Sequence, residues 1–252
     1  MREHHTDDRA DPTAGPAAGQ RPPAPTVRLL DPSEVATAAA VLARAFAEEP
    51  AKRALFGGES ATRAIFADPS VRTRFAEAAA RGRLRAALPY AAVHVADLEG
   101  TIAGVAMWYP PGVEPGALPS RVLVSTLLTP GTHVLSLLAH VGASLWRDRS
   151  AVRRILAARS SAVAQAALDP SWYLAVLGTD PQFRGRGVAR KLLERTLERC
   201  DVEGLPAWLE TTEDSNVPLY ERFGFETFAD IAGGRVLPSL WLMHRAPRRR
   251  SR

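Results

Sequence analysis

"WYLAVLGTDPQFRGRGVARKLLERTLERC" (172–200) is the stretch on which the reading of this chain turns. Its first eight residues, through Thr179, are apolar on both faces of a strand, which places that strand inside a sheet. Asp180 and Pro181 end it. Further on, Val188, Leu192, Leu193, Thr196, Leu197 and Cys200 recur at helical spacing and form an apolar stripe over 186–202. Between strand and helix stand Gly185 and Gly187, a residue type that weakens a helix. Free N–H groups at a helix start, with the helix dipole behind them, attract an anion, and glycine admits a phosphate without a Cβ in its path. Arg184 and Arg186 add charge-assisted donors.

Spacing separates the anion-binding readings. A P-loop requires G-x-x-x-x-G-K-[ST], and neither the spacing nor the lysine is present. A dinucleotide fingerprint requires a third glycine where Arg190 stands. Gln182, Gly185 and Gly187 complete Q/R-x-x-G-x-G/A, the pyrophosphate signature of GNAT acetyltransferases. A plain helix cap yields the same short pattern. Downstream, "ETTEDSNVPLYERFGFE" (210–226) resembles the last motif of that family, with Asn216, Tyr220, Gly224 and Phe225 at its positions. On both motifs the chain is identified as a member of the GNAT superfamily. Over roughly 26–56 and 90–246 it is similar to the puromycin N-acetyltransferase group, whereas 57–89 and 117–168 carry no such match.

The resemblance implies an α/β GNAT fold: a mixed, mostly antiparallel central sheet, splayed at the acetyl-CoA site, with helices on both faces. It implies that Leu177, Gly178 and Thr179 pair their backbone with the pantetheine arm. Arg184, Gly185, Arg186, Gly187, Val188 and Ala189 hold the pyrophosphate through backbone amides, and Asn216 contacts the cofactor arm. Gly178 also reads as a bulge or a close approach. Tyr220 is the expected general acid, its hydroxyl protonating the departing CoA thiolate; a core tyrosine packing Phe223 and Phe225 is the alternative. Glu210 is the first choice of base because its strand flanks the splayed site, against a structural or surface carboxylate. His133 and His140, seven apart, read as structural, and Cys200 as core. No metal is expected.

Composition frames the rest. Of 252 residues, 46% are hydrophobic and 23% charged, as in an ordinary globular protein. The single cysteine excludes an internal disulfide, and no apolar run has the roughly 18 residues of a membrane span. The N-terminus lacks the apolar core of a signal peptide, and a cytoplasmic protein is expected. Formal charge is +5, but Arg248, Arg249, Arg250 and Arg252 supply four of those charges, leaving 5 − 4 = +1. A terminal tail without a basic stripe and interleaved aromatics argues against nucleic acid as partner.

Residues 1–25, rich in Pro, Ala and Gly, read as a disordered leader, 26–246 as one acetyltransferase domain, and 247–252 as an arginine-rich mobile tail. "TVRLL" (26–30) opens as a strand. Asp31, Pro32 and Glu34 form a capping box before a helix with Val35, Ala38, Ala39, Leu42 and Phe46 on one face. Residues 51–88 read as broken helix with punctuation at "FGGES" and "DPS", and 90–110 as an antiparallel hairpin around "DLEG". The helical 117–168 is expected to shape the acceptor site. Then follow strand 207–212, short helix 216–223 and two closing strands.

These readings give an acetyl-CoA-dependent N-acetyltransferase acting on a primary amine of a small molecule, an antibiotic or related metabolite among the candidates, working as monomer or homodimer. A protein or peptide N-acetyltransferase and a non-catalytic acyl-CoA sensor are the alternatives. Arginine outnumbers lysine (only Lys52 and Lys191) and alanine is abundant, which suggests a GC-rich bacterial gene.

Overall fold

The computed structural model describes residues 23–47, 68–113, 149–234 and 238–248. Seven strands form one sheet in the order β1-β2-β3-β4-β5-β7-β6. They are β1 (Thr26–Leu29), β2 (Ala92–Leu98), β3 (Thr101–Tyr109), β4 (Trp172–Thr179), β5 (Ala207–Thr211), β6 (Glu226–Ile231) and β7 (Leu240–Arg245). Every neighbouring pair is antiparallel except β4 and β5, which run parallel. The described helices are α1 (Val35–Ala45), α2 (Pro69–Ala87), α3 (Arg149–Gln165), α4 (Val188–Glu203) and α5 (Val217–Glu221).

Helices cover both faces. On one, Leu192, Leu193 and Leu197 of α4 and Tyr220 of α5 pack with Trp108, Leu174 and Leu209. On the other, Ala38, Val41 and Leu42 of α1 and Leu84 of α2 pack with Val105, Met107 and Val176. The mixed, mostly antiparallel sheet between two helical layers is the expected fold.

Local chemistry explains the element ends. Asp31 accepts from the Ser33 amide at 2.8 Å and Glu34 accepts from the Asp31 amide, completing the capping box. The box caps a 3-10 turn, Pro32–Glu34, that leads into α1. "DPS", read from sequence as a break, is a helix start: Asp68 accepts from the Ser70 amide at 2.7 Å and Pro69 is the first residue of α2. Between β2 and β3, Glu99 and Gly100 have φ of 56° and 77°, the two left-handed residues of a tight hairpin turn.

Two features of the sheet position the site. Ala175 is an extra residue in β4, since Met107 faces Val176 while Trp108 faces Leu174; a bulge of this kind bends its strand. β5 pairs with β4 only from Trp172↔Ala207 to Leu174↔Leu209, although β4 continues to Thr179. Beyond Leu174 the two strands part, which is the splay.

Two further expectations change. The helix expected over 186–202 begins at Val188, because Gly187 is its N-cap with φ 80°, and it ends at Gly204 with φ 68°. The arginine tail does not begin at 247: the Arg248 amide donates to Asp201 at 2.7 Å, so that residue is fastened to α4. Of the 117–168 segment, α3 is helical as expected. The expectations for residues 1–22, 48–67 (with the "FGGES" break), 114–148 (with His133 and His140), 235–237 and 249–252 lie outside the described residues.

Candidate active site

The glycine turn is anchored to the protein at several points. A 3-10 turn, Pro181–Phe183, is capped by Asp180, whose carboxylate accepts from the Gln182 amide. Asp180 is 2% exposed and is neutralised by Arg44 of α1, with Nε at 2.8 Å and Nη2 at 2.6 Å. Arg184 donates to the Ala45 carbonyl at the end of α1, 3.0 Å away. Arg186 pairs with Glu99 of the β2–β3 turn, and its guanidinium lies 5.6 Å from the centre of the Phe183 ring.

Both guanidinium groups thus brace the turn. The Arg184 and Arg186 amides are also committed, to the Pro181 and Phe183 carbonyls. Among the described residues the amides of Gly185, Gly187, Val188 and Ala189 have no backbone acceptor, and they form the start of α4. A Cβ added to Gly185 or Gly187 would meet nothing within 4 Å, and both have φ near that of a left-handed residue, 76° and 80°. Open space in front of unpaired amides at a helix N-terminus suits an anion.

From this turn the unpaired edge of β4 runs back through Thr179, Gly178 and Leu177 toward the splay. The buried Thr179 hydroxyl has no partner among the described residues. Gly178 has a different reason from the one the sequence suggested. A Cβ there would stand 2.8 Å from Leu42 and 3.1 Å from Ala45, so its smallness admits α1. Its strand bulge is three residues earlier, at Ala175, whose carbonyl accepts from Arg83 of α2 at 3.1 Å. Gly104 of β3, unremarked in the sequence, has the equivalent role on the other face. A Cβ there would lie 2.5 Å from Val188 and 2.9 Å from the Gly178 carbonyl.

Asn216 closes the 3-10 turn Asp214–Asn216 and precedes α5 without capping it through its side chain. Tyr220 is 7% exposed and packs edge-on against Phe225, ring centres 6.0 Å apart. Burial pushes its phenol up to about 12, so the hydroxyl keeps its proton at neutral pH.

Glu210 is half-buried at the splay and engaged on both oxygens. Arg159 of α3 holds it through Nε–Oε2 at 2.5 Å and Nη2–Oε1 at 3.1 Å, and the Tyr173 hydroxyl donates to Oε1 at 2.7 Å. Burial, then the Glu210 charge, pushes the Tyr173 phenol well above its ordinary value and keeps it a donor. Tyr173 stacks on Trp208 at 4.2 Å and more loosely on Tyr109 at 6.3 Å. The strand pattern alone distinguishes none of these aromatics from core residues. Arg159 lies in the segment without a sequence match.

A family model described as "Acetyltransferase (GNAT) family" matches residues 137–225, which contain the turn, β4, Glu210 and Tyr220. Over those residues the chain is similar to the GNAT family. An uncharacterized N-acetyltransferase of Schizosaccharomyces pombe is 47% identical over 57 residues, 23% of each chain, so this chain matches about a quarter of that relative's length. Among solved structures, a histone acetyltransferase HPA2 and related acetyltransferase from Corynebacterium glutamicum superposes with a TM-score of 0.55 at 20% identity, covering 91% of this chain and 99% of that one. A polyamine N-acetyltransferase of Drosophila melanogaster gives 0.53 at 20% identity, covering 88% and 99%. At those identities the likeness establishes the GNAT fold. Among the described residues no helix is long and apolar enough to cross a membrane.

Proposed function

We propose that this chain transfers an acetyl group from acetyl-CoA to the primary amine of a small molecule. One observation carries the reading: among the described residues a single path leads from unpaired helix-start amides along an unpaired strand edge to the splay, beside which stands Glu210. Tyr220 lies in the core cluster that holds Leu174 and Leu209. The amides of Gly185, Gly187, Val188 and Ala189 take the pyrophosphate. The β4 edge at Leu177–Thr179, with the unpartnered Thr179 hydroxyl, takes the amides of the arm. Asn216, free of a capping duty, adds a side-chain amide. Arg184 and Arg186 act through backbone position and bracing.

Acetyl-CoA brings an acyl group already activated as a thioester, so the protein's task is to position an amine and manage protons. Glu210 accepts a proton from the ammonium, leaving a nitrogen lone pair to form the new N–C bond. As the C–S bond breaks and its electron pair passes to sulfur, the Tyr220 hydroxyl donates a hydrogen bond to that sulfur. The second proton released by the nitrogen as it becomes an amide ends on the thiolate to give CoA thiol. With the phenol at about 12 and an ordinary thiol at about 8.5, full proton transfer is uphill, so Tyr220 acts chiefly by hydrogen-bonding the developing charge. A cytoplasmic setting accords with the free, buried Cys200 thiol.

The test is thiol release from acetyl-CoA across a panel of amines. Agmatine belongs in it, since the Drosophila enzyme forms N-acetylagmatine; so do spermidine, phenethylamine and amine-bearing antibiotics. Amine-dependent release with at least one small acceptor is expected. Binding of acetyl-CoA without release for any small amine, together with acetylation of a peptide N-terminus, would overturn the small-molecule assignment.

A further inference from the structure

Where β4 and β5 part, one carboxylate and stacked aromatic rings converge on a cation that belongs to the chain itself. Tyr173 and Trp208 face each other across the parallel pair, one step before the last register contact, Leu174↔Leu209. Their rings stack at 4.2 Å and each residue is 7% exposed. Glu210 follows at once on β5, its orientation set by the Tyr173 hydroxyl at 2.7 Å. Arg159 reaches in from α3, with its guanidinium 5.7 Å from the centre of the Trp208 ring while it forks onto Glu210.

An anionic oxygen pair beside an indole face is a receptor for an organic cation, combining a charge-assisted hydrogen bond with cation–π attraction. The occupant is loosely installed. α3 contributes no buried residue, and the side chains of Arg159 and Glu210 are 28% and 24% exposed, so a solute cation has access to the pair. Exchange of one monovalent cation for another leaves the charge on Glu210 balanced, which avoids the penalty of stranding a half-buried carboxylate.

We propose that Tyr173, Trp208 and Glu210 form a cage for the acceptor's ammonium group, and that Arg159 is an internal surrogate which the acceptor displaces. The proposal rests on the acetyltransferase reading only for the name "acceptor"; the cage itself is a binding site for a primary ammonium on an apolar or aromatic arm. It also gives Glu210 its opportunity as base. While Arg159 is forked onto it both oxygens are occupied, and the incoming ammonium, in taking that place, brings its proton to the carboxylate. The competition lowers apparent affinity by the fraction of time Arg159 leaves the cage open.

The probe is phenethylamine, with 2-phenylethanol as its uncharged counterpart, titrated calorimetrically into the full chain without acetyl-CoA. Arg159→Gln keeps length and polarity and removes the charge. It should tighten phenethylamine binding roughly tenfold, the alcohol binding neither protein. Arg159→Lys, which keeps a cation but loses the fork, should fall between, and Glu210→Gln should abolish binding. Equal or weaker phenethylamine binding by Arg159→Gln, with Arg159→Lys no tighter than wild type and both melting normally, overturns the surrogate role. Binding retained in Glu210→Gln overturns the cage. A parallel acetyl-CoA titration keeps the readings apart: failure of acetyl-CoA to bind strikes the enzymatic reading, while the amine titration still decides the cage.

Discussion

Gly187 and Gly204 bracket α4 with the same left-handed backbone, φ 80° and 68°, and in both cases an added Cβ would meet nothing within 4 Å. They therefore carry equal strain on substitution and differ only in what lies at their end of the helix. Replacing either by alanine forces a Cβ into the left-handed region, about 1–2 kcal/mol, partly offset by roughly 0.4–1 kcal/mol from the stiffer unfolded chain. Each Gly→Ala variant should thus lose about 1 kcal/mol, a melting shift of about 2–4 °C for a domain of this size. Cofactor affinity should divide them. At position 187 the Cβ enters the space before the amides, and loss of one hydrogen bond to a charged group, about 1.5–3 kcal/mol, weakens CoA binding roughly 10- to 100-fold. Gly187→Glu adds a like charge; at about 4 Å and an effective dielectric of 20 the repulsion is about 4 kcal/mol, or some 10³-fold in Kd. Gly204 stands at the far end of a 16-residue helix, about 24 Å away, and its alanine variant should bind CoA as wild type does. Calorimetric titration of CoA, with thermal melts on the same samples, supplies both readouts. If Gly187→Glu melts normally and binds CoA within about threefold of wild type, the turn is not the pyrophosphate site. If Gly204→Ala loses as much affinity as Gly187→Ala, the loss comes from helix stability and the reasoning about open amides fails.

Tyr220→Phe keeps the ring packed on Phe225 and removes the hydroxyl, so kcat should fall by about 10²–10³ while CoA affinity stays put; steady-state kinetics within about threefold of wild type would return Tyr220 to the core. His94 is held neutral by burial and then by the Arg195 and Arg199 charges, its value lowered from 6.5 to about 4. The unfolded chain takes up that proton first, so stability present above pH 6.5 is lost as pH falls from 6.5 toward 4, and melts of His94→Gln should decline less over that window than wild type. Arg245, whose side chain is 3% exposed, forks onto Asp201 at 2.8 Å and donates to the Phe223 carbonyl, tying α4 to the turn after α5. Asp201→Ala leaves that guanidinium buried without its carboxylate and should cost roughly 3–5 kcal/mol in urea unfolding; a loss below about 1 kcal/mol would show that water replaces the partner.

What sequence makes visible here is what neighbours in the chain specify together. Asp31, Pro32 and Glu34 satisfy one another within four residues, and the apolar stripe from Val188 to Cys200 matches the buried residues of α4. The turn and its two glycines are likewise local. The arginines beside them were legible as charge but not as partners, since Glu99 and the Ala45 carbonyl reach them from 87 and 139 residues away. The cage shows the same limit: Arg159, Tyr173 and Glu210 meet across separations of up to 51 residues, and Tyr173 and Trp208 stand in strands that read as core throughout. Gly104 and Gly178 look alike in any strand. Only the packed helices show that one admits α4 and the other α1.

The central claim is that the start of α4 and the parted β4 edge receive acetyl-CoA. Calorimetric titration of acetyl-CoA into the wild-type chain and into Gly187→Glu tests it most directly. The account predicts one site per chain in the wild type and at least a thousandfold weaker binding, on the order of the repulsion derived for position 187, in the variant. Equal affinity in two equally folded proteins, or no binding to the wild type, would contradict it.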